Sequence, residues 1–106
     1  MGIIIFEVGE TNEGIETRKK LCLAISHNAT NFTEIKQIAE SIFSALGKHF
    51  TIKDAEHESF IIGRCASIMV NNEEVGILGE IHPQVLNNFG LEVPVVMLEL
   101  DIQKLE

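Results

Sequence analysis

The stretch that decides the fold runs from Phe60 to Leu91 and reads FIIGRCASIMV (60–70), NNEE (71–74), VGILGEIHP (75–83) and QVLNNFGL (84–91). Its first apolar run leads into Asn71-Asn72, two residues suited to the positive φ angles of a tight turn. The chain returns over Val75 to Ile81, and Pro83 then suits the first position of a helix, where its missing N–H costs nothing. The stretch therefore predicts a β-hairpin whose second strand leads into a helix.

Gly76 and Gly79 interrupt the returning strand of this hairpin. Glycine weakens a strand interior, so its presence indicates a bulge or a close approach of another group. In an enzyme the two glycines could admit a ligand to the sheet. The structural alternative is backbone packing under the helix that begins at Phe32.

That helix is predicted from Phe32 to Leu46, because apolar residues recur there at helical spacing. The stripe consists of Phe32, Ile35, Ile38, Ala39, Ile42, Ala45 and Leu46. Asn31 can cap the helix, with Glu34 three residues on in the manner of a capping box, and Gly47 can end it in the left-handed conformation. Four members are expected to pack against the sheet: Ile35, Ile38, Ile42 and Leu46.

The remaining elements complete an α+β pattern. Strands are predicted at 3–8, 17–26, 50–53 and 95–102, and polar loops at 9–16 and 54–59. In the helix that starts at Pro83, the side chains expected to face inward are Val85, Leu86 and Phe89. The order β, β, α, β, β, β, α, β has hairpin-like joins and few crossover helices, which predicts a mostly antiparallel sheet flanked by helices. The 106 residues favour a single domain, and a start within an apolar strand is typical of a domain taken from a longer chain.

Composition limits the class of partner. The formal net charge is −8, from 16 acidic and 8 basic residues, and an acidic surface repels phosphate backbones. Little direct nucleic-acid contact is therefore expected, and the basic run at 18–20 is too short to change this. No apolar run approaches the length of a membrane span, and the isolated Cys22 and Cys65 are interpreted as reduced, buried and structural in a cytoplasmic protein.

His82, Glu80 and Arg64 are the candidates for chemistry. His82 beside Glu80 suggests a general base oriented by a carboxylate, but no Ser or Cys lies in a recognised nucleophile elbow. The favoured interpretation is that His82 is a capping or turn residue before Pro83. Arg64 after Gly63 suggests binding of phosphate or carboxylate, whereas an ion pair with a carboxylate of this chain or of an adjoining domain is the structural interpretation.

A metal site is not expected from the four charged and imidazole residues His49, Glu56, His57 and Glu58. Two histidines eight positions apart with flanking glutamates match no zinc spacing. A solvated, charged loop is the interpretation of this segment.

Several segments together resemble the β subunit of phenylalanyl-tRNA synthetase, of the archaeal and eukaryotic type. The matching segments are FEVG (6–9), FTEIK (32–36), IGRCA (62–66), GILGEIHPQVL (76–86), NFGL (88–91), Pro94 and Glu99-Leu100, in the family's order across nearly the whole chain. The Gly-Glu-Ile-His-Pro segment at 79–83 is the most specific of these matches.

The resemblance implies that residues 1–106 are the C-terminal part of a catalytic-like module with the class II aminoacyl-tRNA synthetase fold. It implies a structural partner of the α subunit in an (αβ)2 assembly, whose α subunit charges tRNA(Phe) with phenylalanine using ATP and Mg²⁺. Active class II synthetases have an arginine–glutamate pair in their motif 2 and an arginine after the last strand in their motif 3. This sequence has no counterpart of either, so no catalytic, cofactor or metal residue is carried over from the family. Arg64, Glu80 and His82 are expected to make contacts beyond the domain.

The function predicted is therefore a non-catalytic part of a phenylalanine–tRNA ligase, inactive alone. Two alternatives stand beside it. One is a stand-alone acidic protein-interaction domain. The other is a small hydrolase or transferase using His82, Glu80 and Arg64, which requires that the three side chains converge in one cleft.

Overall fold

The computed structural model describes residues 3–13 and 16–105, with side chains described for residues 20–105. Its strands are β1 (Ile3–Glu13), β2 (Glu16–Ser26), β3 (Thr51–Asp54), β4 (Phe60–Val70), β5 (Glu73–Ile81) and β6 (Val95–Asp101). Its α-helices are α1 (Phe32–Leu46) and α2 (Pro83–Asn88), and a 3₁₀ turn covers Gln103–Leu105. Within the described residues the order of elements is the predicted one.

The six strands form one sheet in the order β1-β2-β6-β5-β4-β3. Every neighbouring pair is antiparallel. The predicted α+β class with an antiparallel sheet is confirmed. Because β6 inserts between β2 and β5, the hairpin at the N-terminal end and the hairpin formed by β4 and β5 become one continuous surface.

The core lies between α1 and one face of the sheet. The register places Leu23, Leu98, Leu78 and Ala66 side by side on β2, β6, β5 and β4. All four side chains are buried in one cluster with Ile35, Ala39 and Phe43 of α1. Alternate residues of a strand point to opposite faces, so these residues form the covered face of the sheet.

The ends of α1 are those predicted from its sequence. The Asn31 side chain accepts a hydrogen bond from the Glu34 N–H, and Gly47 adopts φ 68°. The N-cap oxygen satisfies one of the unpaired N–H groups of the first turn, and glycine takes the left-handed conformation without steric cost.

The prediction that Leu46 packs against the sheet is wrong. Leu46 is 50% exposed, and the fully buried aromatic residue of α1 is Phe43, which the predicted stripe omitted. Leu46 is the last helical residue, and the chain turns back beyond it. Phe50 then lies against Phe43, with 4.7 Å between the ring centroids. Ile38 and Ile42 are partly buried against the core, as expected.

The hairpin of β1 and β2 is longer than predicted. The polar segment 9–16 was expected to be a loop, but β1 continues to Glu13 and pairs with β2, which begins at Glu16. Residues 14 and 15 of the predicted loop lie outside the described residues. Backbone pairing therefore extends the hairpin past the point at which the apolar pattern stops.

The hairpin of β4 and β5 is confirmed and contains a bulge. Asn71 and Asn72 have φ angles of 53° and 64° at the turn. Further along, β4 advances five residues from Phe60 to Cys65 while β5 advances two from Ile81 to Gly79. Three extra residues therefore bulge out of β4, and Gly63 there has φ 83°.

The two glycines of β5 mark close approaches to neighbouring strands rather than to α1. A Cβ on Gly79 would lie 2.7 Å from the Arg64 carbonyl oxygen and 2.8 Å from Cδ1 of Phe60, and a Cβ on Gly76 would meet the Glu99 carbonyl oxygen. Phe60 is buried over Gly79 on the face of the sheet away from α1.

Two side-chain predictions are corrected. Phe89 was assigned to the inward face of α2 but is 77% exposed, because α2 ends at Asn88 and Phe89 no longer follows the helical period. Cys22 was expected to be buried but is only half-buried, whereas Cys65 is buried and burial raises the pKa of its thiol. The Cys22 thiol donates to Oε2 of Glu99 at 3.7 Å.

Candidate functional site

Glu80 joins three elements at one end of the sheet. Its Oε1 accepts a hydrogen bond from Nη1 of Arg64 at 3.1 Å, and its Oε2 accepts one from the backbone N–H of Phe32 at 3.2 Å. The Glu80 side chain is 14% exposed and that of Arg64 is 60% exposed. The N–H of Phe32 belongs to the first turn of α1, where a carboxylate is favoured by the helix dipole. Glu80 thus links β5 to the bulge of β4 and to the start of α1.

His82 is the N-cap of α2. Its Nδ1 accepts a hydrogen bond from the Gln84 N–H at 3.0 Å, and its own N–H donates to the Ser59 carbonyl oxygen at 2.8 Å. In this contact Nδ1 is the acceptor, which leaves Nε2 as the other ring nitrogen, facing away from the helix cap. The ring is exposed, and its contacts are those of a capping residue.

The three candidate residues do not converge. Arg64 and Glu80 line a groove of about 340 Å³, but His82 is not one of its lining residues. The other lining residues are Ile61, Ile81, Pro83, Leu86, Asn87, Leu91, Glu92, Pro94 and Val95. This groove, called the α2 groove below, is mostly apolar with one ion pair on its wall. It can take up apolar side chains, and it does not assemble a base with an orienting carboxylate.

A second cluster, around Glu34, was only partly indicated by the sequence. Glu34 Oε1 accepts a hydrogen bond from the Thr30 hydroxyl at 2.8 Å and lies 2.6 Å from Nε2 of His27. The hydrogen bond from Thr30, followed by that from His27, lowers the pKa of the Glu34 carboxyl. Spacing from the N-cap pointed to Glu34, but nothing in the pattern indicated His27. The cluster stabilises the entry to α1.

A second cavity, of about 350 Å³, opens on the face of the sheet away from α1. Lys20 on its wall lies 3.4 Å from a Glu99 carboxylate oxygen, and Lys104 donates to the Glu74 carbonyl oxygen at 3.1 Å. Both cations that line the cavity are thus engaged with groups of this domain. Sequence patterns did not indicate this cavity, because its residues come from four separate segments.

The described residues contain no group of three or more His, Cys, Asp or Glu side chains placed to hold a metal ion. His57 serves locally: its Nδ1 accepts a hydrogen bond from the Ser59 N–H at 3.1 Å, and its ring lies edge-on to Phe60 at 5.6 Å. As for membranes, neither α-helix in the described ranges combines the length and apolarity that a crossing requires.

The geometry defines an antiparallel α+β domain whose polar candidate residues are engaged in capping and in ties between elements. Residues 1–102 match the family model described as the phenylalanyl tRNA synthetase beta chain CLM domain. The chain belongs to this family, and the resemblance found in the sequence is confirmed at that level.

Relatives from several organisms agree with the family model. The phenylalanine–tRNA ligase beta subunit of Thermococcus onnurineus is 48% identical over 95% of this chain, and that of Methanocaldococcus jannaschii is 43% identical over 93%. The match covers 19% of each of these two relatives. The chain therefore spans about a fifth of the length of the curated relatives it matches.

Proposed function

We propose that this domain is a non-catalytic part of the β subunit of a phenylalanine–tRNA ligase, where it acts as a structural partner of the α subunit. The observation that carries the proposal is the family match over residues 1–102, together with relatives named as β subunits of that ligase. The whole enzyme would charge tRNA(Phe) with phenylalanine in the cytoplasm.

The contacts of the polar candidates support a structural role. Glu80 uses both carboxylate oxygens, on Arg64 and on the start of α1, and His82 uses Nδ1 to cap α2. A general base must reach the proton that it abstracts and needs an orienting partner. Arg64, Glu80 and His82 therefore serve first to fix the relation of β4, β5, α1 and α2. Their contacts beyond the domain remain part of the proposal.

The finer placement is also proposed. The six-stranded antiparallel sheet with α1 on one face is compatible with a catalytic-like module of the class II type, located toward the C-terminal end of an archaeal or eukaryotic type β subunit. ATP and Mg²⁺ would bind to the α subunit of an (αβ)2 assembly. The net charge of −8 favours little direct contact between this domain and tRNA.

The test compares two preparations by phenylalanine-dependent exchange of pyrophosphate into ATP. One is the complex of the full-length β subunit with its α subunit, and the other is the 106-residue chain alone. We expect exchange and charging of tRNA by the complex, and no exchange above background by the chain alone.

Activity of the chain alone would contradict the scaffold role if it disappeared in His82→Ala or Arg64→Ala. The matched control is His49→Ala, because His49 is also an exposed histidine but is the N-cap of neither α-helix. A full-length subunit that neither binds an α subunit nor supports charging would favour the alternative of a stand-alone acidic interaction domain.

A further inference from the structure

The α2 groove has an apolar lining with an exposed apolar residue on its rim. Five large apolar residues are exposed among the described side chains: Leu46, Ile52, Ile62, Phe89 and Leu91. Leu91 lines the groove and is 47% exposed, and Phe89, at 77% exposure, lies two residues before it in the same connection. Ile62 belongs to a different pocket, beside Asp54 and Cys65. Exposed apolar residues that are clustered, rather than scattered, mark a surface that another segment covers.

The bulge of β4 shapes one wall of the groove. The three extra residues between Phe60 and Cys65 carry Ile62 out of the sheet, and Gly63 takes φ 83° there. A bulge re-aims side chains without adding to the core of its own sheet. Ile62 is carried to the separate pocket beside Asp54, whereas Ile61 and Arg64 of the same bulge line the α2 groove.

The start of β1 lies at the same end of the sheet as the groove. The register places Ile3 opposite Ser26, and Ser26 opposite Val95 of the groove wall. The Ser26 hydroxyl also donates to the carbonyl oxygen of Pro94 at 3.1 Å. Since paired strands are about 4.8 Å apart, the backbone at Ile3 lies about 10 Å from Val95. A separation of about 10 Å is short enough for a few residues of polypeptide preceding Ile3 in a longer subunit to span.

The other end of the chain leaves from the far side of the sheet. Asp101 pairs with Lys20, and beyond it Lys104 donates to the carbonyl oxygen of Glu74, next to the turn of the β4–β5 hairpin. The turn lies at the end of β5 opposite to Ile81 of the groove. A segment that follows the domain would have to return along the length of the sheet.

We infer that the α2 groove holds an apolar segment of the same β subunit, located upstream of Ile3. This assignment rests on the proposed function, because it requires a longer subunit. The segment presents apolar side chains to Leu86, Leu91 and Ile61, and an oxygen acceptor to Arg64. The guanidinium has five N–H donors, and its contact with Glu80 uses one nitrogen. A segment on the same polypeptide also has the advantage of a high effective concentration.

Cysteine alkylation tests the inference in the full-length protein. Leu91→Cys places a thiol in the groove, and Leu46→Cys is the matched control, because Leu46 is 50% exposed at the end of α1. Maleimide labelling of each site is followed by peptide mass spectrometry in the αβ complex and in the β subunit without α. We expect Leu91→Cys to react at least about tenfold more slowly than Leu46→Cys in both samples.

A third sample, the β subunit shortened to begin at Met1, identifies the occupant. There the two sites should react within about twofold of each other, since their exposed fractions are similar. Buried Cys65 should stay unlabelled in all three samples and so report an intact fold.

Four outcomes would overturn the inference. The first two are equal labelling of Leu91→Cys and Leu46→Cys in the complex, and protection of Leu91→Cys that appears only with the α subunit. The other two are protection of Leu91→Cys that survives in the shortened β subunit, and labelling of Cys65 once the upstream segment is removed. Charging of tRNA by the same complex is measured separately. A complex with a protected groove that charges no tRNA refutes the proposed function and leaves the groove assignment standing.

Discussion

Ile35→Ala and Leu46→Ala are expected to differ several-fold in their effect on the free energy of unfolding, although each shortens one aliphatic residue of α1. Ile35 is 0% exposed and packs in the cluster with Leu78 and Leu98, whereas Leu46 is 50% exposed. Truncation of a buried Ile loses its transfer free energy and leaves a cavity, at a cost of about 2–5 kcal/mol. Full burial of a Leu side chain is worth about 1.5–3 kcal/mol, so loss of a half-exposed one costs about 1 kcal/mol or less.

Urea unfolding of the 106-residue chain, followed by circular dichroism, measures this difference. Domains of this size have total stabilities of about 5–15 kcal/mol, so Ile35→Ala should remove a large fraction of the stability. An unchanged slope of the free energy against urea would show that the two variants differ in stability rather than in the compactness of the unfolded chain. Equal losses at Ile35 and Leu46 would refute the packing of α1 described above.

Three further variants test particular contacts. Gly79→Ala should destabilise the domain by about 1–3 kcal/mol, because its Cβ would meet the Arg64 carbonyl oxygen and the Phe60 ring; thermal unfolding measures this. Glu34→Gln should remove part of the acid sensitivity of stability. Since the folded pKa of Glu34 lies below its unfolded value, the stabilisation is present at neutral pH and is lost as pH falls from about 5 downward; urea unfolding over that range measures it. Asn72→Ala should cost about 1–2 kcal/mol at φ 64°, in urea unfolding.

Each of these variants has a matched control. Gly63→Ala is strained at φ 83° but meets no neighbour within 4 Å, so it separates backbone strain from the clash expected at Gly79. Glu40→Gln changes an exposed carboxylate of the same helix, and an equal change in acid sensitivity there would contradict the role of Glu34. Asn72→Gly should be close to neutral, and a loss as large as that of Asn72→Ala would contradict the left-handed turn.

Local signals predicted most of the fold, because capping and turn residues mark where the helices and strands end. Asn31 and Gly47 set the ends of α1, and Asn71-Asn72 set the turn between β4 and β5. Each of these signals concerns the backbone conformation of a few neighbouring residues. The residue types at those positions therefore indicate it directly. The family followed from an ordered series of such segments, and the family model confirmed it.

The errors lie at the ends of the helices, where the apolar pattern continues past the surface that each helix covers. Leu46 has the period of a core residue, but Phe50 turns back onto Phe43 and the helix end stays open. Phe89 has a similar apolar character, but α2 stops one residue earlier. Helical periodicity reports which face a residue occupies and does not report where the opposing surface ends.

In the candidate site the sequence indicates the polar residues but does not indicate their partners. Arg64, Glu80 and His82 could be selected from the sequence by residue type, yet their partners could not. Glu80 contacts a backbone N–H 48 residues away, and the bulge that brings Arg64 to it is a matter of register between β4 and β5. Residue type indicates what a side chain can do, and only the pairing of strands determines what it meets.

The most direct test of the scaffold role is the kcat/KM for tRNA charging by the αβ complex with His82→Ala in the full-length β subunit. As a capping residue, His82 contributes to the local stability of α2, so kcat/KM per assembled complex should stay within about threefold of the parent and of the His49→Ala control. A general base contributes about 10²–10⁴-fold to the rate, so a loss of that size in a complex that still assembles would contradict the account.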